Sequence, residues 1–311
     1  MIRLVGVRIA AGIATLLAAS IIIFAVMQIL PGDAATALLQ QQASNKKVLA
    51  ELRHQYGLDR PAPVRYLKWI DGAVHGNFGL APGSELPVTS LLRTPLKNST
   101  ILLAITLLLM FPFALVIGVA SALRRQSWID GGIQTVVLVL ASLPSFAVGI
   151  ALIVLFAFTW RLLPAVSFTL SARSLVLPVA TLVLGWVPLT ARMVRAGVVD
   201  VLDSDYVQMA RLKGISEAKV IRRHVLPNAL VPSIQAFALT AASMPAGIVI
   251  VEFLYSFQGV GNALVEAVAN RDTATVEAIT LILVVVYVLA NLLSDVATVL
   301  LTPRLRTQAA R

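Results

Sequence analysis

Ser99-Thr-Ile-Leu-Leu-Ala-Ile-Thr-Leu-Leu-Leu-Met-Phe-Pro-Phe-Ala-Leu-Val-Ile-Gly-Val-Ala-Ser-Ala-Leu123 contains no charged side chain and is followed at once by Arg124-Arg125. A bilayer core of about 30 Å is crossed by roughly 20 apolar residues in a helix. This stretch meets that requirement, and five others meet or approach it. Ile9–Leu30 is free of charge and ends at Pro31-Gly32-Asp33. Ile133–Trp160 contains Pro144, which predicts a kink. Leu175–Ala191 is short and interrupted by Pro178, Gly185 and Pro188. Ala229–Val251 holds Pro232, Pro245 and Gly247, and Ala278–Leu301 ends at Pro303-Arg304. The expected fold class is all-α, a polytopic transmembrane helical protein of six spans.

Composition agrees. Of 311 residues, 58% are hydrophobic and 13% charged, against about 45–50% and about 25% in soluble domains. Cysteine is absent, which excludes disulfides and thiolate chemistry. The net charge of +10 lies in short segments between apolar runs, so it reads as topology rather than nucleic-acid binding. The N-terminal stretch, with Arg3 and Arg8 before it and Ala35-Thr36-Ala37 after it, has some features of a signal peptide. Its apolar run is longer than the roughly 7–15 residues usual there, so a retained span is expected. With the N-terminus inside, Arg3, Arg8, Arg124, Arg125, the basic residues from Arg192 to Arg223, and Arg304, Arg306 and Arg311 are cytoplasmic. Only Arg161, Arg173 and Arg271 fall in the two short outer loops. Both termini are then expected in the cytoplasm.

Residues 1–30 form the tail and first span, 31–97 an extracytoplasmic segment, 98–304 a five-helix core, and 305–311 a tail. Within the outer segment Lys46–Tyr56 reads as an amphipathic helix, with Val48, Leu49, Leu52 and Tyr56 at helical spacing and Gly57 as its stop. Val64–Ile70 is a second candidate. Gly76-Asn77-Phe78-Gly79 and Pro82-Gly83 are turn signals. His54 and His75 lack a supporting carboxylate pattern and read as surface residues.

Between the fourth and fifth spans, residues 197–228, lies Asp205-Tyr-Val-Gln-Met-Ala-Arg-Leu-Lys-Gly-Ile-Ser-Glu-Ala-Lys-Val-Ile-Arg-Arg-His-Val-Leu-Pro-Asn228. Asp203 or Ser204 can cap a short helix that Asp205 favours electrostatically. Gly214 supplies the left-handed stop. Ser216 and Glu217 open a second helix running to Leu226-Pro227. Ala210, one turn before the glycine, leaves room for close approach.

This segment resembles the "EAA" loop of the membrane subunits of binding-protein-dependent ABC importers. Its matching positions are Gln208-Met209-Ala210, Gly214 and His224-Val225-Leu226-Pro227; Gln208, Met209 and His224 depart from the family pattern. Leu30-Pro31-Gly32-Asp33, Phe257-Gln258-Gly259-Val260-Gly261, Asn270-Arg271-Asp272 and Pro303-Arg304-Leu305-Arg306 are similar to the dipeptide/oligopeptide/nickel branch. The resemblance covers essentially the whole chain. It implies a permease in a bacterial inner membrane that pairs with a homologous second permease, cytoplasmic ABC ATPase subunits and an extracytoplasmic solute-binding protein. The implied substrate is a di- or oligopeptide, or in some members nickel or glutathione. Asp205, Tyr206, Gln208, Met209, Ala210, Lys213 and Gly214 are implied in ATPase coupling, with Ala210 and Gly214 at the contact and Leu226-Pro227 anchoring the second helix. Gln134, Gln235, Ser243 and Asn291 are path-lining candidates, and residues from Tyr255 to Asn262 a gate or docking loop. A basic loop lying on anionic lipid is the simpler alternative, but it does not demand the glycine and Leu-Pro spacing.

No Gly-x-x-x-x-Gly-Lys-[Ser/Thr] phosphate loop is present. The chain is therefore expected to hold no cofactor or metal, ATP and Mg being used by a partner. An ion-coupled secondary transporter would need ionisable groups in mid-membrane. Asp295 is the one buried candidate, while Glu252 reads as lying at the outer water boundary. No Gly-x-Ser-x-Gly or His-Glu-x-x-His pattern favours a membrane enzyme.

Overall fold

The computed structural model describes residues 2–29, 46–55, 57–82 and 84–301. Leu30-Pro31-Gly32-Asp33, residues 31–45, Tyr56, Gly83, Pro303–Arg306 and the tail 305–311 lie outside the described residues. Twelve helices are used below: α1 Ile2–Ile29, α2 Lys46–Gln55, α3 Ala62–Val74, α4 Val88–Leu123, α5 Trp128–Ser142, α6 Ser145–Leu152, α7 Ala172–Leu202, α8 Asp205–Leu212, α9 Glu217–Val220, α10 Leu226–Leu254, α11 Val260–Ala269 and α12 Thr273–Leu301. π-helical turns follow α6 at Ile153–Thr159 and α9 at Ile221–Val225. Among the described residues the only β pairing is one bridge, Leu80 to Pro87.

Five helices are long and apolar enough to cross a membrane, and α5 with α6 makes a sixth crossing if the pair is one span. That pair bends by 101°, so Pro144 produces a break rather than a kink. Leu143 is extended (φ −85°, ψ 131°), as the residue before a proline prefers, and Pro144 stands at the N-cap of α6.

The stretch expected to be short and broken, Leu175–Ala191, is instead the middle of α7, a continuous 31-residue helix with Pro178 and Pro188 inside it. A proline deprives the carbonyl four residues earlier of its partner, and inside a membrane no water replaces it. For Pro178 that carbonyl belongs to Ser174. The Ser167 hydroxyl donates to it at 2.7 Å. Ser167 is held in turn by its own N–H, which donates to the Tyr255 carbonyl at 2.8 Å. A capping box between Ser171 and Ser174 closes the helix start. Span five is longer than expected too: Glu217–Leu254 is one 38-residue span. The second hairpin helix does not end at Leu226-Pro227 but continues through the π turn, whose shifted hydrogen bonds directly precede Pro227.

α7 is the axis of the bundle and packs chiefly on α4, then on α10, α5 and α6. Its approach to α4 depends on Gly118, where a Cβ would stand 2.7 Å from the Ala191 carbonyl and from Val194. Small residues at such contacts replace the hydrophobic driving force that lipid removes. α1 lies at the periphery against α12, with Ile13, Leu17, Ile22 and Ile29 all exposed. Its end is tied to α3 by Ser20 Oγ and Tyr66 Oη at 2.9 Å, and by Phe24 packing edge-on to Tyr66.

Ser167→Ala leaves the buried Ser174 carbonyl unpaired and is expected to destabilise the fold by about 1–3 kcal/mol. Chemical unfolding in detergent micelles, compared with Thr100→Ala on the exposed face of α4, measures the difference.

Candidate functional site

The turn out of α7 is short: Asp203 and Ser204 separate Leu202 from α8. Ser204 is extended at the N-cap, but its hydroxyl turns back to the Val201 carbonyl instead of capping α8. The other end of α8 is closed more firmly. Gly214 has φ +72°, its N–H donates to the Arg211 carbonyl at 2.9 Å, and the Ile215 N–H reaches the Ala210 carbonyl at 3.4 Å. These two bonds are the Schellman pattern, and Ile215 makes the apolar contact that accompanies it. Arg211 braces the corner with two bonds to Glu217, at 2.8 and 3.1 Å. Arg125 donates to Asp203 at 2.7 Å and holds that carboxyl below the usual carboxylate range.

α8 has two faces of different fate. Val207 and Ala210 are buried in a cluster with Ala122, Val194, Val198, Leu202, Val220, Val225 and Ala229. Ala210, expected at an ATPase contact, therefore has its methyl turned into the helical bundle itself. Tyr206, Met209 and Leu212 face outward, Leu212 being 81% exposed. Asp205, Gln208, Lys213 and Gly214 are exposed as well, while Pro227 lies in the first turn of α10 beside half-buried Leu226. Leu212 was not among the expected residues, although its spacing of three from Met209 and six from Tyr206 places it on their face.

Beneath the hairpin lies a polar joint that the sequence reading did not anticipate. Arg195 of α7 forms a two-pronged pair with Asp130 of α5, at 2.7 and 3.0 Å. Asp130 is only 5% exposed and also accepts from Ser121 Oγ of α4 at 2.5 Å and from the Gln126 N–H at 3.2 Å. Gln134, a path candidate, donates to Ser121 Oγ at 2.8 Å and belongs to this joint.

A second polar joint closes the opposite end of α10. Glu252, expected at the water boundary, is 0% exposed. Its carboxylate accepts from Ser99 Oγ of α4 at 2.5 Å and from the Gly261 N–H at 2.6 Å, while Ser99 Oγ accepts from the Val260 N–H at 2.9 Å. Asn98 Nδ2 donates to the Gln258 carbonyl at 2.7 Å. The N-terminus of α11 is thus capped from another helix by a carboxylate. Gly259, at the N-cap, is required because a Cβ there would collide with that carboxylate.

The other path candidates are dispersed. Ser243 donates within its own helix, to the Leu239 and Thr240 carbonyls, and Asn291 to the Tyr287 carbonyl. Gln235 is half-buried on α10. Asp295 is paired with Arg8 of α1 at 3.0 Å.

With this geometry in place, the comparisons with known proteins assign the chain to a family. Residues 114–307 match the binding-protein-dependent transport system inner membrane component, and residues 1–115 the N-terminal region of such membrane components. The chain belongs to this family. It is accordingly a multi-pass protein of a bacterial inner membrane, the membrane subunit of a binding-protein-dependent transport system. It is 31% identical to a probable peptide ABC transporter permease of Sinorhizobium fredii, across 96% of this chain and 97% of that protein. It is also 31% identical to a di/tripeptide transport system permease of Pseudomonas aeruginosa, across 99% of this chain and all of the other. Among solved structures, an amino acid ABC transporter with histidines superposes with a TM-score of 0.52 at 18% identity, covering 68% of this chain and 94% of that one. That likeness concerns the permease fold.

Arg195→Ala strands the Asp130 carboxylate in a buried site and is expected to cost about 3 kcal/mol of stability. The double variant Asp130→Leu/Arg195→Met should recover much of it, since neither charge is then left unpaired. Thermal unfolding of the purified permease in detergent compares the three.

Proposed function

We propose that this permease is a channel-forming subunit of an ATP-driven importer of short peptides, and that α8 is the element through which a partner ATPase moves it. The observation that carries this reading is the outward face of α8. Tyr206, Met209 and Leu212 are exposed on a helix whose opposite side is already packed. Exposed apolar groups on one face are suited to a partner's groove. Peptide as the substrate class is supported by the two relatives above, both peptide permeases aligned over nearly the whole chain.

In this reading the hairpin faces the cytoplasm, as the positive charge of residues 192–223 favours, and both termini lie on that side. ATP and Mg are used by the ATPase. A homologous second permease completes the path, and a solute-binding protein delivers the peptide at the outer face. Gln134, Gln235, Ser243 and Asn291 remain path candidates, with Gln134 acting first as a strut of the Asp130 joint. Asp295, to which an ion-coupled alternative looked, is engaged by Arg8, and the buried Glu252 is engaged by Ser99 and the Gly261 N–H, so neither favours that alternative.

Met209→Glu/Leu212→Glu places two carboxylates in the proposed contact and leaves Val207 and Ala210 in place. The expected result is at least a 10-fold loss of ATPase co-purified with the permease, with unfolding temperature unchanged, because an unpaired charge buried at an interface costs several kcal/mol. An undiminished ATPase yield and undiminished peptide uptake would refute the assignment. Orientation has its own test, since the chain contains no cysteine. A Leu212→Cys variant should react with an impermeant maleimide only from the cytoplasmic side, and Ser84→Cys only from the outer side.

A further inference from the structure

At the opposite end of the molecule from the hairpin, a cavity of about 440 Å³ opens between the end of α1, helix α3, the turn at residues 77–82 and the start of α12. Its volume lies within the range of small-ligand sites, roughly 300–1,000 Å³. Two of its polar groups have no account in the fold. Glu277 of α12 is 6% exposed, yet it makes neither a hydrogen bond nor an ion pair among the described residues. Trp69 Nε1 is buried without an acceptor among the described residues. Buried polar groups in proteins are almost always partnered. Both groups line the same cavity.

The rest of the lining is asymmetric. Arg60, Arg65 and Lys68 place three cations on the α3 side. Arg65 is half engaged: it donates to Gln28 at 2.9 Å and lies 5.9 Å from the centre of the Phe24 ring, and its charge reaches Glu277 without a bond. Phe24, Trp69 and Phe78 contribute aromatic surface. A ligand complementary to this lining has an ammonium group for Glu277, a carboxylate for the arginines and lysine, an acceptor for Trp69 Nε1 and side chains for the rings.

We propose that this cavity is a binding site for a short peptide with free termini: the α-ammonium on Glu277, the C-terminal carboxylate toward Arg60, Arg65 and Lys68, and a main-chain carbonyl accepting from Trp69. This rests on the reading of the chain as a peptide importer and deepens it. The site holds peptide at the outer face, on the permease itself, before the path between the membrane subunits. It selects peptides by the free amino terminus, because an ammonium group pairs with the Glu277 carboxylate more strongly than a neutral donor does.

The test uses the full chain in nanodiscs made from phosphatidylglycerol and phosphatidylcholine, with radiolabelled trialanine and N-acetyl-trialanine as probes. Trialanine should bind saturably, and the acetylated peptide about 10-fold or more weakly. Glu277→Gln should weaken trialanine by a similar factor and abolish the discrimination between the two peptides, without lowering the unfolding temperature. Trp69→Phe should weaken both probes alike. Absence of binding, equal affinity for the two peptides, or an unchanged preference in Glu277→Gln would each overturn the proposal. A further arm adds phosphatidylethanolamine to the nanodiscs. If that lipid raised the unfolding temperature only when Glu277 was present, and trialanine failed to compete, the cavity would be a headgroup site and the proposal would fail. Uptake of trialanine by the assembled importer is measured in parallel. Uptake without binding here would sink the site and leave the importer reading intact; loss of both would remove the peptide reading as well.

Discussion

A carbonyl that loses its helical partner inside a bilayer has no water to turn to, and this chain places prolines in most of its membrane helices. The Ser167 hydroxyl on the Ser174 carbonyl is where that constraint is met most consequentially. It keeps α7 continuous past Pro178, and α7 is the helix against which α4, α5, α6 and α10 all pack. The same serine is tethered to the Tyr255 carbonyl. Tyr255 Oη, fully buried, lies 2.8 Å from Thr181 Oγ1 and donates to the Gly149 carbonyl at 3.2 Å. One hydroxyl bond therefore sits at the junction of the outer loop, the axial helix and the end of α10. At Pro144 the chain breaks instead, and the Leu143 N–H turns to the Leu140 carbonyl.

The two polar joints share α4 as their fixed member. Ser121 serves the Asp130–Arg195 joint near the hairpin, and Ser99 serves Glu252 at the far side. These serines are 22 residues apart in one helix, or about 33 Å at 1.5 Å per residue, close to the roughly 30 Å of a bilayer core. Each joint thus lies near a membrane surface, where polar groups cost least, and the stretch between them is left to small-residue packing such as Gly118 against Ala191. Span five joins the two ends. It rises from Glu217, which is braced by Arg211, and finishes at the carboxylate of Glu252, which caps α11. Under the proposed function a displacement imposed on α8 is passed along this one continuous span, through the π turn at Ile221–Val225 and past Pro232 and Pro245, to the outer loop.

What the sequence disclosed, and what it withheld, follows from the range of each interaction. The spans were legible because membrane burial is written residue by residue in hydropathy. Gly214 was legible because a left-handed stop is a local demand. Leu175–Ala191 was misread as broken because proline counts as a breaker in isolation, and its remedy, Ser167, comes from the preceding loop. Glu252 was placed at the water boundary because its partner Ser99 stands 153 residues earlier; the nearby Gly259-Val-Gly261 was the one hint that a carboxylate might be capping there. Asp130 and Arg195, 65 residues apart, gave no local signal at all. Ala210 illustrates a different ambiguity. A small residue suits close packing on either side of a helix, and only its register with Val207 places it inward.

An eight-residue helix has little stability of its own in water, yet α8 carries an exposed apolar face, Tyr206, Met209 and Leu212. Its order is supplied from outside the helix: Val207 and Ala210 seated in the cluster, the Schellman bonds at Gly214, and the Arg211–Glu217 brace. All of these are in place before any partner arrives. Binding then orders few further groups, and ordering is one of the main costs of association. A floppy loop of the same composition would spend part of the partner's displacement on its own folding. In the proposed mechanism, a helix clamped at its inner face and at its C-terminal corner passes that displacement to α7 on one side and to span five on the other. The rigidity of the hairpin is for this reason as much a part of the proposed mechanism as its exposed Tyr206, Met209 and Leu212.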